Sequence, residues 1–296
     1  MKTLVTTYFL IFFALNISQS QTLNKEIDSE TDAPYLLGKI DKNGLTSNNY
    51  NVWFSSNYED YQLDETTIKK IASYIKDYQI TLFLGTWCGD SKREVPRFYK
   101  ILEACNFPED QLTVVALSSQ PDMYKQSPQH EEEGLNIHRV PTFIFYKNRK
   151  EVNRIVERPV ETLEKDILNI VSTNNYESSY QIVTKVNLIL KNDGLNGLKA
   201  ATTQLAKTYK PKVTSMYELN TYGRILYSKN RVEEAIQVFK LNVELFPEIP
   251  NTHMSLANTL GVSGEKNEAI TVLEKAIKLF PDNKDLVENL QVIKTN

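Results

Sequence analysis

The sequence predicts an α/β domain, a mixed sheet flanked by helices, followed by a second domain made only of helices. Three observations carry that reading. Between residues 80 and 171, short β-branched and aromatic runs alternate with amphipathic ones in the order strand, helix, strand, loop, paired strands, helix. From about residue 180 onward, apolar residues recur at helical spacing only. That helical region also repeats itself with a period of 34 residues. A chain of 296 residues is long enough for two such domains. Its net charge of −3 gives no electrostatic case for a nucleic-acid partner.

The elements follow in chain order. Lys2, the apolar run Leu4 to Ile17 and the polar Ser18-Gln19-Ser20 have the layout of a secretory signal peptide over residues 1–20. The apolar run is shorter than the roughly 20 residues a membrane-spanning helix needs, so no stable span is expected after cleavage before Gln21. Residues 21–63 read as an N-terminal extension packing on the first domain. A strand is predicted from Tyr35 to Ile40, and an ambiguous aromatic-rich stretch from Leu45 to Tyr61. The first domain proper is read from 64 to 172. Asp64 caps a helix carrying Ile68, Ile71, Ala72 and Ile75. Strands are predicted at Ile80–Leu84, Leu112–Leu117, Thr142–Tyr146 and Glu151–Val156, with helices at Ser91–Ala104 and Val160–Val171. Residues 173–179 read as a linker and 180–296 as the helical repeat domain.

Within the repeats, Ala235 recurs as Ala269, Phe239 as Leu273, Tyr222-Gly223 as Leu256-Ala257 and Phe246-Pro247 as Phe280-Pro281. Extending the register backwards aligns Ala201 and Leu205, which predicts a degenerate earlier unit. Small residues at fixed places let paired helices approach closely, and the proline ends each unit. This pattern resembles the tetratricopeptide repeat. Asn242, where that repeat usually has alanine, and His253, where it often has a bulky aromatic, are departures. The resemblance implies a protein ligand on the concave face of the stack.

Gly85-Thr86-Trp87-Cys88-Gly89-Asp90-Ser91 follows a predicted buried strand and opens a helix. A thiol at that position faces unpaired backbone N–H groups, which favour the nucleophilic thiolate. Lys92 and Arg93 act in the same sense and Asp90 against it. Trp87 before the cysteine, Pro96 eight residues after it, and Val140-Pro141-Thr142 complete a pattern that resembles thioredoxins. That resemblance implies a thioredoxin-like fold with Cys88, Ser91, Trp87 and Asp90 at a catalytic site. It also implies a cis bond before Pro141, and Val140, Pro141 and Thr142 binding extended peptide.

Three residues depart from the thioredoxin pattern. Ser91 stands where the second cysteine would be, Leu82 replaces a buried acid, and Arg149 replaces a turn glycine. A lone thiol cannot resolve its own mixed disulfide. The resemblance therefore implies monothiol exchange or isomerisation with protein or peptide thiol or disulfide clients. A small thiol or a partner protein would do the resolving. The alternative is a non-catalytic adaptor that only binds. Ser91 could donate a hydrogen bond to the sulfur, and Asp90 is either a proton donor or a dipole-stabilised carboxylate.

Cys105 lies seventeen residues from Cys88, at the other end of one predicted helix. That is roughly 25 Å at about 1.5 Å per residue, whereas bridged Cα atoms lie within about 7 Å. Cys105 is accordingly read as a small buried residue. His130 and His138 are read as surface histidines, although His138 could approach the sulfur, and Glu131-Glu132-Glu133 as a solvated helix face. No cofactor motif is present, and one thiol with a single histidine falls short of a metal site. The domain layout resembles exported thioredoxin-domain proteins of Gram-negative bacteria, which implies the periplasm.

Overall fold

The computed structural model describes residues 22–28, 33–47, 49–173 and 176–295; the signal peptide expected over 1–20 lies outside them. Two short strands, β1 (Glu26–Ile27) and β2 (Tyr35–Leu36), pair with each other. They are followed by β3 (Gly38–Ile40), α1 (Lys42–Leu45), α2 (Asn51–Glu59) and α3 (Glu65–Ala72). Then come β4 (Gln79–Leu84), α4 (Gly89–Ala104), β5 (Leu112–Ala116), β6 (Thr142–Lys147), β7 (Lys150–Val156) and α5 (Leu163–Ser172). The central sheet has the order β3-β5-β4-β6-β7, with β4 and β5 parallel and the other neighbours antiparallel. It is the mixed sheet that the alternation of apolar runs implies.

The run predicted as one strand from Tyr35 to Ile40 is divided between two sheets. Gly38 has a φ of 83°, and the chain turns there, so β2 joins β1 while β3 joins β5. Residues 21–63 therefore do more than pack on the domain: they supply an edge strand of its sheet. The ambiguous aromatic stretch contains α2, whose Phe54 is buried against Tyr99 of α4. Asp64 caps α3 by accepting from the backbone N–H groups of Thr66 and Thr67. The last helix begins at Leu163, later than Val160, because Thr162 provides its cap.

Strand alternation sends side chains to two different places. Leu82, Leu84, Val114, Ala116, Phe143 and Phe145 enter the large core shared with helices α2 to α5. Phe83, Val115 and Ile144 point to the opposite face, where Ile137 and Val140 of the β5–β6 loop close over them, with Trp87 and Cys88 packed alongside. The Cys88 segment thus rests on the loop-covered side of the sheet.

Beyond α5 the described chain is helical: α6 (Gln181–Tyr209), α7 (Tyr217–Ser228), α8 (Val232–Leu245), α9 (Pro250–Val262), α10 (Lys266–Leu279) and α11 (Lys284–Thr295). Helices α7 and α8 form one repeat and α9 and α10 the next. Asn230 and Gly264, one period apart, both take positive φ in the turns between paired helices. Helix α6 is broken at Gly194, with φ of 66° and ψ of −165°, into two halves that match the paired helices one period earlier. The degenerate unit is therefore real, with Leu205 buried in the repeat core. At Gly223 an added Cβ would come within 2.7 Å of the Phe239 ring, so the small residue is required by close approach of α7 and α8. Both departures from the repeat pattern hold loop carbonyls: the Asn242 amide donates to Met216 and His253 to Pro247.

The β6–β7 hairpin closes through Asn148 and Arg149, both at positive φ (53° and 61°). Such two-residue turns favour Asn-Gly because a side chain at the second position is strained. Arg149→Gly should raise the unfolding free energy by up to about 1 kcal/mol, measured by chemical denaturation; a loss of stability would contradict the strain.

Candidate functional site

Strand β4 delivers the chain to a tight turn in which Cys88 N–H donates to the Gly85 carbonyl. An added Cβ at Gly85 would lie 2.5 Å from the Trp87 ring, so glycine is what lets the indole fold back over the turn. The Trp87 Nε1–H donates to the Leu117 carbonyl at 2.9 Å, and its ring packs on Tyr124 with centroids 6.0 Å apart. Thr86 is buried and accepts from Leu36 N–H. Cys88 then becomes the N-cap of α4 in an extended conformation, partly exposed, and Lys92 N–H donates to its carbonyl.

The thiol itself turns away from the helix amides. Cys88 makes no side-chain cap bond, and its S–H donates to the Val140 carbonyl at 3.3 Å. The Val140–Pro141 bond is cis, as the resemblance implies, and Thr142 Oγ1–H donates to the Arg139 carbonyl at 2.7 Å. Ser91 is fully buried and its oxygen accepts from Gly85 N–H at 3.2 Å. The expected bond from Ser91 to the sulfur is thus replaced by one that fastens the turn. Asp90 accepts from Arg93 at 2.6 Å on the helix surface.

The loop opposite the sulfur is held from behind by the repeat domain. Arg139 donates to the Tyr217 carbonyl at the start of α7 and to Glu157 at 3.1 Å. Glu157 also accepts from Tyr180, whose ring faces the Arg139 guanidinium. His138 is not a surface histidine. It is buried, edge-on to Tyr180 and Tyr222 of the repeat domain, and donates from Nδ1 to the Asn136 carbonyl. Burial depresses it to about 3, so it is neutral. His130 does lie at the surface. The Glu131–Glu133 run forms turns rather than a helix, and Glu132 is buried, accepting from Ser127 N–H and Oγ–H; it ties down the loop.

Lys125 is the residue that the sequence concealed. It sits in the polar stretch between β5 and β6, at a φ of 58°, with 5 % of its surface exposed. Its ammonium donates to the His138 carbonyl at 2.6 Å and lies within electrostatic reach of Cys88. Burial is the main cause that lowers it to about 8. No periodicity marks such a lysine, since the partner that anchors it is a backbone carbonyl. Cys105, by contrast, is buried at the far end of α4, and burial pushes its thiol up to about 11. Both cysteines are free. Among the described residues no three metal-ligating side chains gather, and no helix is long and apolar enough to cross a membrane.

Residues 45–168 match the protein-family model described as Thioredoxin. The chain carries a thioredoxin-like domain. Residues 250–283, which contain α9 and α10, match the model described as Tetratricopeptide repeat. No curated protein matches the chain. The thioredoxin match starts inside the segment read as an extension, in keeping with the place of α2 in the core.

Leu82 is buried in the main core of the thioredoxin-like domain, and the charged group within electrostatic reach of Cys88 is Lys125 of the loop between β5 and β6. Between about pH 8 and its unfolded value of 10.5, Lys125 binds more protons unfolded than folded, so its burial penalty falls as pH rises. Lys125→Met should therefore be more stable than wild type near neutrality. That advantage should shrink by about 2–3 kcal/mol on going to pH 10, read by urea unfolding; a pH-independent difference would contradict it.

Proposed function

We propose that the protein is an exported thiol–disulfide exchange protein, with Cys88 as its only nucleophile and the repeat domain holding the client. The reading rests chiefly on one observation: a partly exposed thiol at a helix start, 3.3 Å from the carbonyl that precedes a cis proline. An extended peptide lying along Val140 places its sulfur beside Cys88. The Cys88 thiolate attacks one sulfur of the client disulfide; a new S–S bond forms as the old one breaks, and the leaving thiolate takes a proton from water. Lys125 supplies positive charge beside the exchanging sulfurs. Because Ser91 carries no thiol, the mixed disulfide persists until a second thiol, from a small molecule, the client or a partner protein, attacks it. Electrons are shuffled and none are added, which suits isomerisation and removal of small-thiol adducts. The proposed compartment is the periplasm of a Gram-negative bacterium, supported by Lys2, the Leu4–Ile17 run and Ser18-Gln19-Ser20.

Turnover of a peptide mixed disulfide in the presence of a small thiol tests the reading. Cys88→Ser should abolish turnover and Cys105→Ser should retain it. Ser91→Cys should let the protein release its captured client without an added thiol. Turnover surviving in Cys88→Ser would overturn the reading. Peptide capture by a wild-type protein that never turns over, unchanged in Cys88→Ser, would replace it with an adaptor role.

A further inference from the structure

The face that carries Cys88 does not end at the thioredoxin-like domain. A groove of about 460 Å³ runs beside it into the repeats, lined by Pro121 and Tyr124 on one side and by Arg224, Tyr227, Phe239 and Thr259 on the other. Tyr124 is the residue whose ring packs on Trp87, directly before Cys88, so the groove adjoins the thiol. Its far wall is firm: Phe239 is buried and seated on Gly223, with no space between them for a Cβ. Arg224 and Tyr227 stand on α7, Phe239 on α8 and Thr259 on α9, so the groove spans three successive repeat helices.

Its charge is one-sided. Lys125 lies buried behind Tyr124, its Nζ 5.0 Å from the ring centroid, and donates to the neutral His138 carbonyl. Arg139 is balanced by Glu157. Arg224 is exposed and has no acidic partner among the described residues. Both Arg224 and Cys88 lie within electrostatic reach of Tyr124. Arginine, tyrosine and phenylalanine are also side chains enriched at protein interfaces relative to the rest of the surface.

We infer that this interdomain groove takes an extended, cysteine-containing client segment, and that Arg224 reads a carboxylate on that segment while its sulfur reaches Cys88. The inference rests on the exchange reading above and adds a substrate class to it: acidic polypeptide segments. A span across α7, α8 and α9 suits a polypeptide better than a small thiol, whose carboxylates would occupy only one end. Chemically the step is unchanged. Cys88 displaces the leaving thiolate from the peptide disulfide, which takes a proton from water. Arg224 contributes at encounter and positioning, and touches none of the exchanging atoms.

The test uses the full chain and short peptides whose cysteine carries a thiopyridyl leaving group, followed by release of pyridinethione. Each peptide bears either glutamate or glutamine at one of successive positions along the segment. At one position the glutamate peptide should react about three- to fivefold faster than its glutamine partner at low salt. The ratio should fall towards one when salt is raised to roughly 1 M. It should also fall towards one in Arg224→Gln, and persist in part in Arg224→Lys. The inference is overturned if no position shows an acid preference, or if the preference survives in Arg224→Gln. It is equally overturned if dependence on Arg224 is confined to glutathione disulfide and absent from every peptide. A wild-type protein whose Cys88 fails to react even with neutral dithiodipyridine would sink the exchange reading itself.

Discussion

The arrangement around Cys88 depends on how the His138–Pro141 loop is held. On one side its Val140 carbonyl accepts a hydrogen bond from the Cys88 S–H. On the other, His138 lies between Tyr180 and Tyr222, and Arg139 reaches the first turn of α7. A loop that must meet a sulfur at hydrogen-bond distance needs more fixing than its own turn residues provide. Here the repeat domain supplies that fixing through buried aromatic rings and a guanidinium with two oxygen partners. The helical domain is thus part of the thiol site's framework as well as a surface beside it.

The same stretch of chain also carries two of the fold's buried charged groups. Lys125 and Glu132 are both buried in the loop between β5 and β6, and each is held by backbone or hydroxyl partners in or around that loop. Buried ionic groups are costly unless every partner is in place. Lys125 lies within electrostatic reach of Cys88 and packs on Tyr124, which lines the groove that enters the repeats. Ser91 fits the same logic: with no thiol to offer, its oxygen secures the Gly85 turn that presents the neighbouring sulfur.

Much of this was legible in the sequence because the informative signals are periodic or local. The strands of the sheet alternate with amphipathic helices, and the cap at Asp64 announces its helix. The recurrence of Ala235 as Ala269 gives the repeat length, and the cis bond at Pro141 follows from the resemblance of Val140-Pro141-Thr142. What escaped is the polar stretch from Ser118 to Arg139, which has neither period nor consistent propensity. His138 looks like a surface residue until Tyr180 and Tyr222 are seen around it. Arg139 finds Tyr217 78 residues further along the chain. Gly38 hides a change of sheet inside one apolar run, since a single positive φ leaves no mark on hydrophobic pattern.

The claim that the repeat domain fixes the thiol-facing loop is tested most directly by amide hydrogen exchange on full-length wild type and Arg139→Ala. Loss of the guanidinium should speed exchange at Val140 to Ile144 and at the first turn of α7 together, while β4 and β5 keep their protection. If exchange in the loop is unchanged, or changes without any response in α7, the loop stands on its own and the coupling of the two domains at Cys88 is wrong.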